Sequence, residues 1–213
     1  MQEGAVLVII ALQGYLFGSF PTAYLLVKHF VGKNIMELGT ANVGTLNVLR
    51  ATNSKVMTGV NLLGDVAKGV LALAVGYVLA DAVGVDTYVG AAAGGIASVV
   101  GHNYTVFLKF QGGKGIATSL PVLFYLEPVL VPVWIAAFLL TVAATRLLVL
   151  GQITATLVAP ILAILFFRDD AVAVVILGAI VFIRHAPRIK GIVKGTEPKL
   201  YYKIDTTPEA PGE

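Results

Sequence analysis

The residues that could do chemistry in this chain fall into three short stretches rich in Gly, Asn and cations. In GTANVGTLNVLR, residues 39–50, the glycines permit tight turns, Asn42 and Asn47 can donate and accept hydrogen bonds, and Arg50 offers a planar fork that fits phosphate. In GHNYTVFLKFQGGKGIATS, residues 101–119, Gly112, Gly113, Lys114 and Gly115 directly precede an apolar run that reads as a helix. Backbone N–H groups at a helix start, the positive end of its dipole and one Lys together make an anion cradle. A nucleotide P-loop is excluded. That motif needs Ser or Thr after its Lys and Gly six residues before it, where this chain has Gly115 and Leu108. The third stretch, RHAPRIKGIVKGTEPK at residues 184–199, carries His185, Arg188 and Glu197 among its basic residues, and also reads as a segment drawn to anionic lipid.

Asp65 and Lys68 lie one turn apart in GDVAKG, inside an apolar run. Ionisable groups there are costly unless paired or facing a cavity, so the two read either as a structural ion pair or as part of a site. His29, His102 and His185 are far apart and have no acid or Cys at ligand spacing, so no metal is expected. The chain has no Cys, which rules out disulfides, thiolate ligands and an acyl-cysteine intermediate.

The elements that must position these residues belong in a bilayer. Of the 213 residues, 57% are hydrophobic and only 13% charged, about half the charge of a soluble domain. Measured against the roughly 20 apolar residues that one span requires, seven stretches qualify as candidates. They run over residues 5–30, 56–80, 88–107, 115–125, 129–148, 153–167 and 171–183. The fourth and sixth are short, and six spans is the competing count. With seven spans and the N-terminus outside, fourteen of the fifteen Lys and Arg fall on the inner side and only Arg168 lies outside, as the positive-inside rule demands. The expected fold is therefore an all-α polytopic membrane bundle of about seven helices with a cytoplasmic C-terminus. Residues 1–199 form one domain, and residues 200–213 a polar tail expected to be disordered. Met1 to Gly4 carry no Lys or Arg, so the first helix is expected to be retained rather than cleaved. Gly14 with Gly18, and Gly90 with Gly94, have the spacing of close helix packing. A net charge of +3 gives no reason to expect a nucleic-acid partner.

Taken jointly, GSFPTAYLL (residues 18–26), GTANVGTLNVLR, DVAKG, GHNYTVFLKFQGGKGIATS, Thr145 with Arg146, and the late His followed by KGTEPK resemble the acyl-phosphate:glycerol-3-phosphate acyltransferases, bacterial integral membrane enzymes. The resemblance covers residues 18–199. It implies acyl transfer from acyl-phosphate to the 1-hydroxyl of glycerol 3-phosphate, giving lysophosphatidate, with membrane lipids around the chain and neither a cofactor nor an obligate protein partner. It also implies a multi-pass protein of the bacterial cytoplasmic membrane with its site at the inner face. Lys114, Arg50, His185, Thr40 and Asn47 are then the expected catalytic residues. Gly112, Gly113, Gly115, Asn42, His102, Asn103, Asp65, Lys68, Arg146, Arg188 and Glu197 are the expected substrate contacts. His102, His185 and the acceptor's own phosphate are all possible bases. Four positions depart from the family's pattern: Thr40 for Ser, Val149 for Ser, Ala186 for Arg and Arg188 for Asn. A transporter or binding protein for phosphorylated lipids is the competing class. The chain shows no internal repeat, and its charges gather at one face rather than at the midplane.

Overall fold

The computed structural model describes residues 3–200, and the described residues are all helix and connecting loop. Nine helices follow in order: α1 (Glu3–Ser19), α2 (Thr22–Val31), α3 (Thr45–Thr52), α4 (Lys55–Ala82), α5 (Thr87–Asn103), α6 (Ile116–Leu126), α7 (Leu130–Thr145), α8 (Leu148–Phe166) and α9 (Ala171–Val193). The expected tail lies outside the described residues except for Leu200, whose N–H donates to the Arg146 carbonyl at 2.9 Å.

Several boundaries correct the sequence reading. The first expected helix is two, because Pro21 has no N–H to give and forces Phe20 out of the helical region. Half of the expected loop at residues 39–50 is the helix α3, which starts after extended Gly44 and stops at left-handed Asn53. The third helix ends at Asn103, with a separate 3₁₀ turn at Val106–Leu108. The basic segment after residue 183 is helical through Val193, and α8 starts five residues before its expected position.

Four segments are long and apolar enough to cross a bilayer: residues 3–31, 55–82, 148–166 and 171–193. Helix α6 has 11 residues, so it reaches about 16 Å at 1.5 Å per residue, roughly half a hydrocarbon core. Helix α1 packs along α5, and both lie on α4. Helices α7, α8 and α9 form a second layer, and α6 sits between the two groups. A core of Val99, Val122, Leu126, Leu130, Ala155 and Leu177 joins them.

The α1–α5 seam depends on the paired glycines. A Cβ on Gly14 would overlap the Gly94 carbonyl, and one on Gly18 the Ser98 carbonyl. With no hydrophobic gain to drive helices together in lipid, this backbone contact is what binds them. At the far end Tyr88 donates to the Asp170 carboxylate and its ring stacks on Tyr125 with centroids 5.4 Å apart, clamping α5, α6 and α9. The loops 32–44, 104–115 and 194–200 gather at the opposite end and carry the candidate site. On this packing, Gly14→Val lowers the thermal midpoint in detergent by the equivalent of about 1–3 kcal/mol, the usual cost of overpacking. Gly59→Ala, which meets nothing within 4 Å, leaves the midpoint unchanged or raised.

Candidate active site

Asn47 shapes the first loop. Its side-chain amide donates to the Leu38 carbonyl at 2.9 Å and the Ile35 carbonyl at 3.3 Å, and its Oδ1 accepts from the Thr40 N–H at 3.0 Å. It is 1% exposed and borders the first cavity, and its contacts with the Thr40 N–H and hydroxyl hold Thr40 at the same wall.

The second loop is set by close approach and by one cation. Gly115 has φ +81°, and a Cβ there would also strike Asn103 Oδ1 at 2.7 Å. A Cβ on Gly113 would overlap the His102 ring. Arg184, from α9, donates to the Gly112 carbonyl at 2.8 Å and the Gly113 carbonyl at 3.0 Å, and its guanidinium lies 5.1 Å from the centroid of the Tyr104 ring. The Gly113 N–H donates to the His102 carbonyl at 2.9 Å, so it takes no part in the anion cradle that the sequence suggests. With the loop fixed in this way, Lys114 projects into two adjoining cavities.

The first cavity, of about 290 Å³, has a polar side bearing Thr40, Asn42, Arg50 and Gln152, and an apolar side formed by Leu62, Ile116, Leu120, Phe138, Leu148 and Val149. Val149 therefore presents no hydroxyl to it. The second cavity, of about 320 Å³, is walled by Lys114, Arg184, Arg188 and Gln111. The two share Thr40, Asn42, Lys114 and Arg188. Arg188 makes a bidentate pair with Glu197, at 2.9 and 2.7 Å, which ties the last loop to this shared wall. Burial, then Arg188, lowers the Lys114 pKa from 10.5 to about 8; Glu197 opposes the shift, and Arg184 and Arg50 add to it.

Behind the wall lies a buried polar network. Lys68 pairs with Asp65 at 2.8 Å and donates to the Phe20 carbonyl at 3.2 Å, which holds the α1–α2 break in place. Asn61 bridges the Asp65 carboxylate at 3.0 Å and the Thr45 hydroxyl at 2.9 Å, and His102 Nδ1 faces Asp65 at 3.6 Å. Of the two readings of Asp65 and Lys68, the structure contains the ion pair. Asp65 and His102 also reach the edge of the first cavity, whereas Lys68 does not.

Besides Lys68 and Gly113, three further expected site residues lie outside the lining of the two cavities. His185 is fully buried, with Nδ1 on the Val181 carbonyl at 2.8 Å and Nε2 facing the Gln152 amide at 3.1 Å, so it reaches the cavity only through Gln152. Asn103 is fully buried against Gly115 and donates to the Ile180 carbonyl at 3.3 Å. Arg146 is an exposed, left-handed helix cap outside the cavity lining. The sequence reading missed Asn61, Gln152 and Arg184. Asn61 stands one turn before Asp65 on the same face, and Gln152 is a lone amide in an apolar run, so both left a signal. Arg184 was legible only as part of a basic flank.

Comparison with known proteins gives one consistent result. The family profile described as glycerol-3-phosphate acyltransferase matches residues 8–195. A glycerol-3-phosphate acyltransferase of Clostridioides difficile (strain 630) is 37% identical over 197 residues, covering 92% of this chain and 96% of that protein. One from Trichlorobacter lovleyi is 39% identical over 189 residues, covering 87% and 93%. Among solved structures, PlsY (YgiH), an integral membrane glycerol 3-phosphate acyltransferase, superposes in its glycerol 3-phosphate form with a TM-score of 0.77 at 29% identity, covering 92% of this chain and 96% of that one. Its lysophosphatidic acid form superposes with a TM-score of 0.74.

The depressed pKa of Lys114 has a consequence for stability. Between pH 8 and 10.5 the unfolded chain binds more protons at this residue than the folded one, so its unfavourable contribution is full below pH 8 and is relieved as pH rises to 10.5. Lys114→Met is therefore expected to melt above wild type at pH 7, with the difference shrinking as pH approaches 10.5. Thermal unfolding of both proteins across that range checks the sign.

Proposed function

This chain belongs to the glycerol-3-phosphate acyltransferase family, and we propose that it transfers an acyl group from acyl-phosphate to the 1-hydroxyl of glycerol 3-phosphate, releasing lysophosphatidate and phosphate. The observation that carries this reading is the wall of Thr40, Asn42, Lys114 and Arg188 between two cavities, one of them half apolar and the other cationic. An acyl-phosphate fits the first, with its chain along Leu120 and Phe138 and its phosphate at the cations. Glycerol 3-phosphate fits the second, with its phosphate near Arg184 and Arg188. Their reacting atoms then meet at Lys114.

The acceptor oxygen adds to the carbonyl carbon, the carbon–oxygen bond to phosphate breaks, and the hydroxyl proton ends on a phosphate oxygen. An acyl-phosphate is a mixed anhydride with a good leaving group, so no covalent acyl-enzyme is needed. Positioning and cationic stabilisation of the developing oxyanion are sufficient. Both ring nitrogens of His185 are engaged, and His102 is pressed between Asp65 and Gly113. The acceptor's own phosphate, with a second pKa near 6, is the base this geometry favours. The basic bias of the loops supports placing the site at the cytoplasmic face of the bacterial inner membrane. This reading counts α1–α2 as one crossing, α4, α5, α7, α8 and α9 as five, and the short α6 with its flanking segments as the seventh.

Purified protein is expected to incorporate glycerol 3-phosphate into lipid when given acyl-phosphate and not when given acyl-CoA. The absence of product with acyl-phosphates of every chain length would sink the reading. Lys114→Ala is expected to lower kcat/KM by roughly 10²–10³-fold, the usual cost of removing one stabilising donor, while leaving the chain folded and membrane-inserted. Because kcat/KM reports the free enzyme, the wild-type value falls as pH rises through about 8, where Lys114 loses its proton. Lys114→Arg moves that fall to higher pH.

A further inference from the structure

The apolar side of the first cavity continues past Leu120. Beyond it, between α6, α7, α8 and α9, is a crevice of only about 20 Å³, lined by Leu120, Trp134, Thr156, Pro160 and Gly178. Leu120 belongs to both spaces. The rings of Phe138, on the upper side, and Trp134, on the lower, stack with centroids 5.5 Å apart and planes within 13°, forming one continuous wall. On α8 the upper space begins at Leu148 and the lower reaches Pro160, which is about 18 Å along the helix axis.

The two volumes differ in what they can hold. A void needs roughly 10–15 Å³ to accept one water, so the lower crevice admits about one small group, whereas the 290 Å³ above it admits a length of chain. The lower walls have little room to yield. Gly178 is against Pro160, where a Cβ would come within 2.6 Å of the ring, and Trp134 is 8% exposed within its stack. Leu120 is half-buried at the junction and is the side chain able to change rotamer. The Thr156 hydroxyl is already buried without a hydrogen-bond partner, so methylenes entering the crevice displace no hydrogen bond from it.

We propose that Leu120, backed by Trp134, sets the length of acyl chain that this protein accepts. This rests on the acyl-phosphate reading above. The test is kcat/KM for a series of acyl-phosphates of stepped length, measured with wild type, Leu120→Ala, Leu120→Phe and Trp134→Leu. Leu120→Ala and Trp134→Leu move the optimum to longer chains, raising the long-to-short ratio by about tenfold, the effect of one methylene accepted or refused by a fitted pocket. Leu120→Phe moves it the other way. Identical length profiles in folded variants overturn the proposal, and show that the chain leaves the groove sideways into lipid. Should Leu120→Ala fail to insert, Leu120→Val must shift the ratio in the same direction. A wild type inactive with every acyl-phosphate would remove the donor reading instead, so the two failures are distinct.

Discussion

The site depends on holding like charges together where water is scarce. Arg50, Arg184 and Arg188 all act on Lys114 across a small volume, and Glu197 is the charge that opposes them. In a medium of lowered dielectric such a cluster is costly, and the cost falls on the group that can shed its proton. Arg184 is held by two backbone carbonyls and Arg188 by a bidentate carboxylate, and Lys114 is left with a depressed pKa. An entering phosphate relieves the repulsion that folding created, so the energy that destabilises the empty site becomes available to bind an anion.

Such an arrangement needs a backbone that cannot relax. Arg184 pulls the carbonyls of Gly112 and Gly113 one way while the His102 carbonyl holds the Gly113 N–H, so the loop carrying Lys114 is fixed from two sides. His102 is in turn backed by Asp65, which Lys68 and Asn61 hold. The chain of contacts runs from the cavity wall to the Phe20 carbonyl at the α1–α2 break, and the paired glycines of α1 and α5 then lock that region against the bundle. Lys68, which borders neither of the two cavities, thus contributes to their shape.

Composition and spacing made the membrane class and the GGKG segment legible, because each rests on residue type along the chain. Lys114, Arg50, Thr40 and Asn42 do meet at one cavity. What the sequence could not distinguish was a polar residue that faces the cavity from one that braces it. Asn47 and Asn42 are five residues apart in one motif and both border the first cavity, yet Asn47 spends its side-chain N–H groups on the carbonyls of Ile35 and Leu38. Likewise, the helical continuation of α9 through Pro187 is set by packing and by the Arg184 and Arg188 partners, which no local pattern reveals. Arg146 was expected at the site through the resemblance carried by Thr145 and Arg146, and the structure makes it an exposed helix cap outside the cavity lining.

The bilayer also limits how the two cavities can divide their work. An acyl chain already in lipid gains little by entering an apolar groove, since lipid tails are as apolar as Leu. If the donor is the proposed acyl-phosphate, its affinity must therefore come from its charged end, on the side of the cavity lined by Lys114, Arg50 and Arg188. The groove cannot supply much attraction, but it can refuse a shape that does not fit. A narrow passage at Leu120 is a device of that kind, selecting by exclusion where attraction is weak, and it sits at the junction with a crevice of about 20 Å³. On the proposed reading, binding strength and chain selection then fall to different residues, one set cationic and the other apolar.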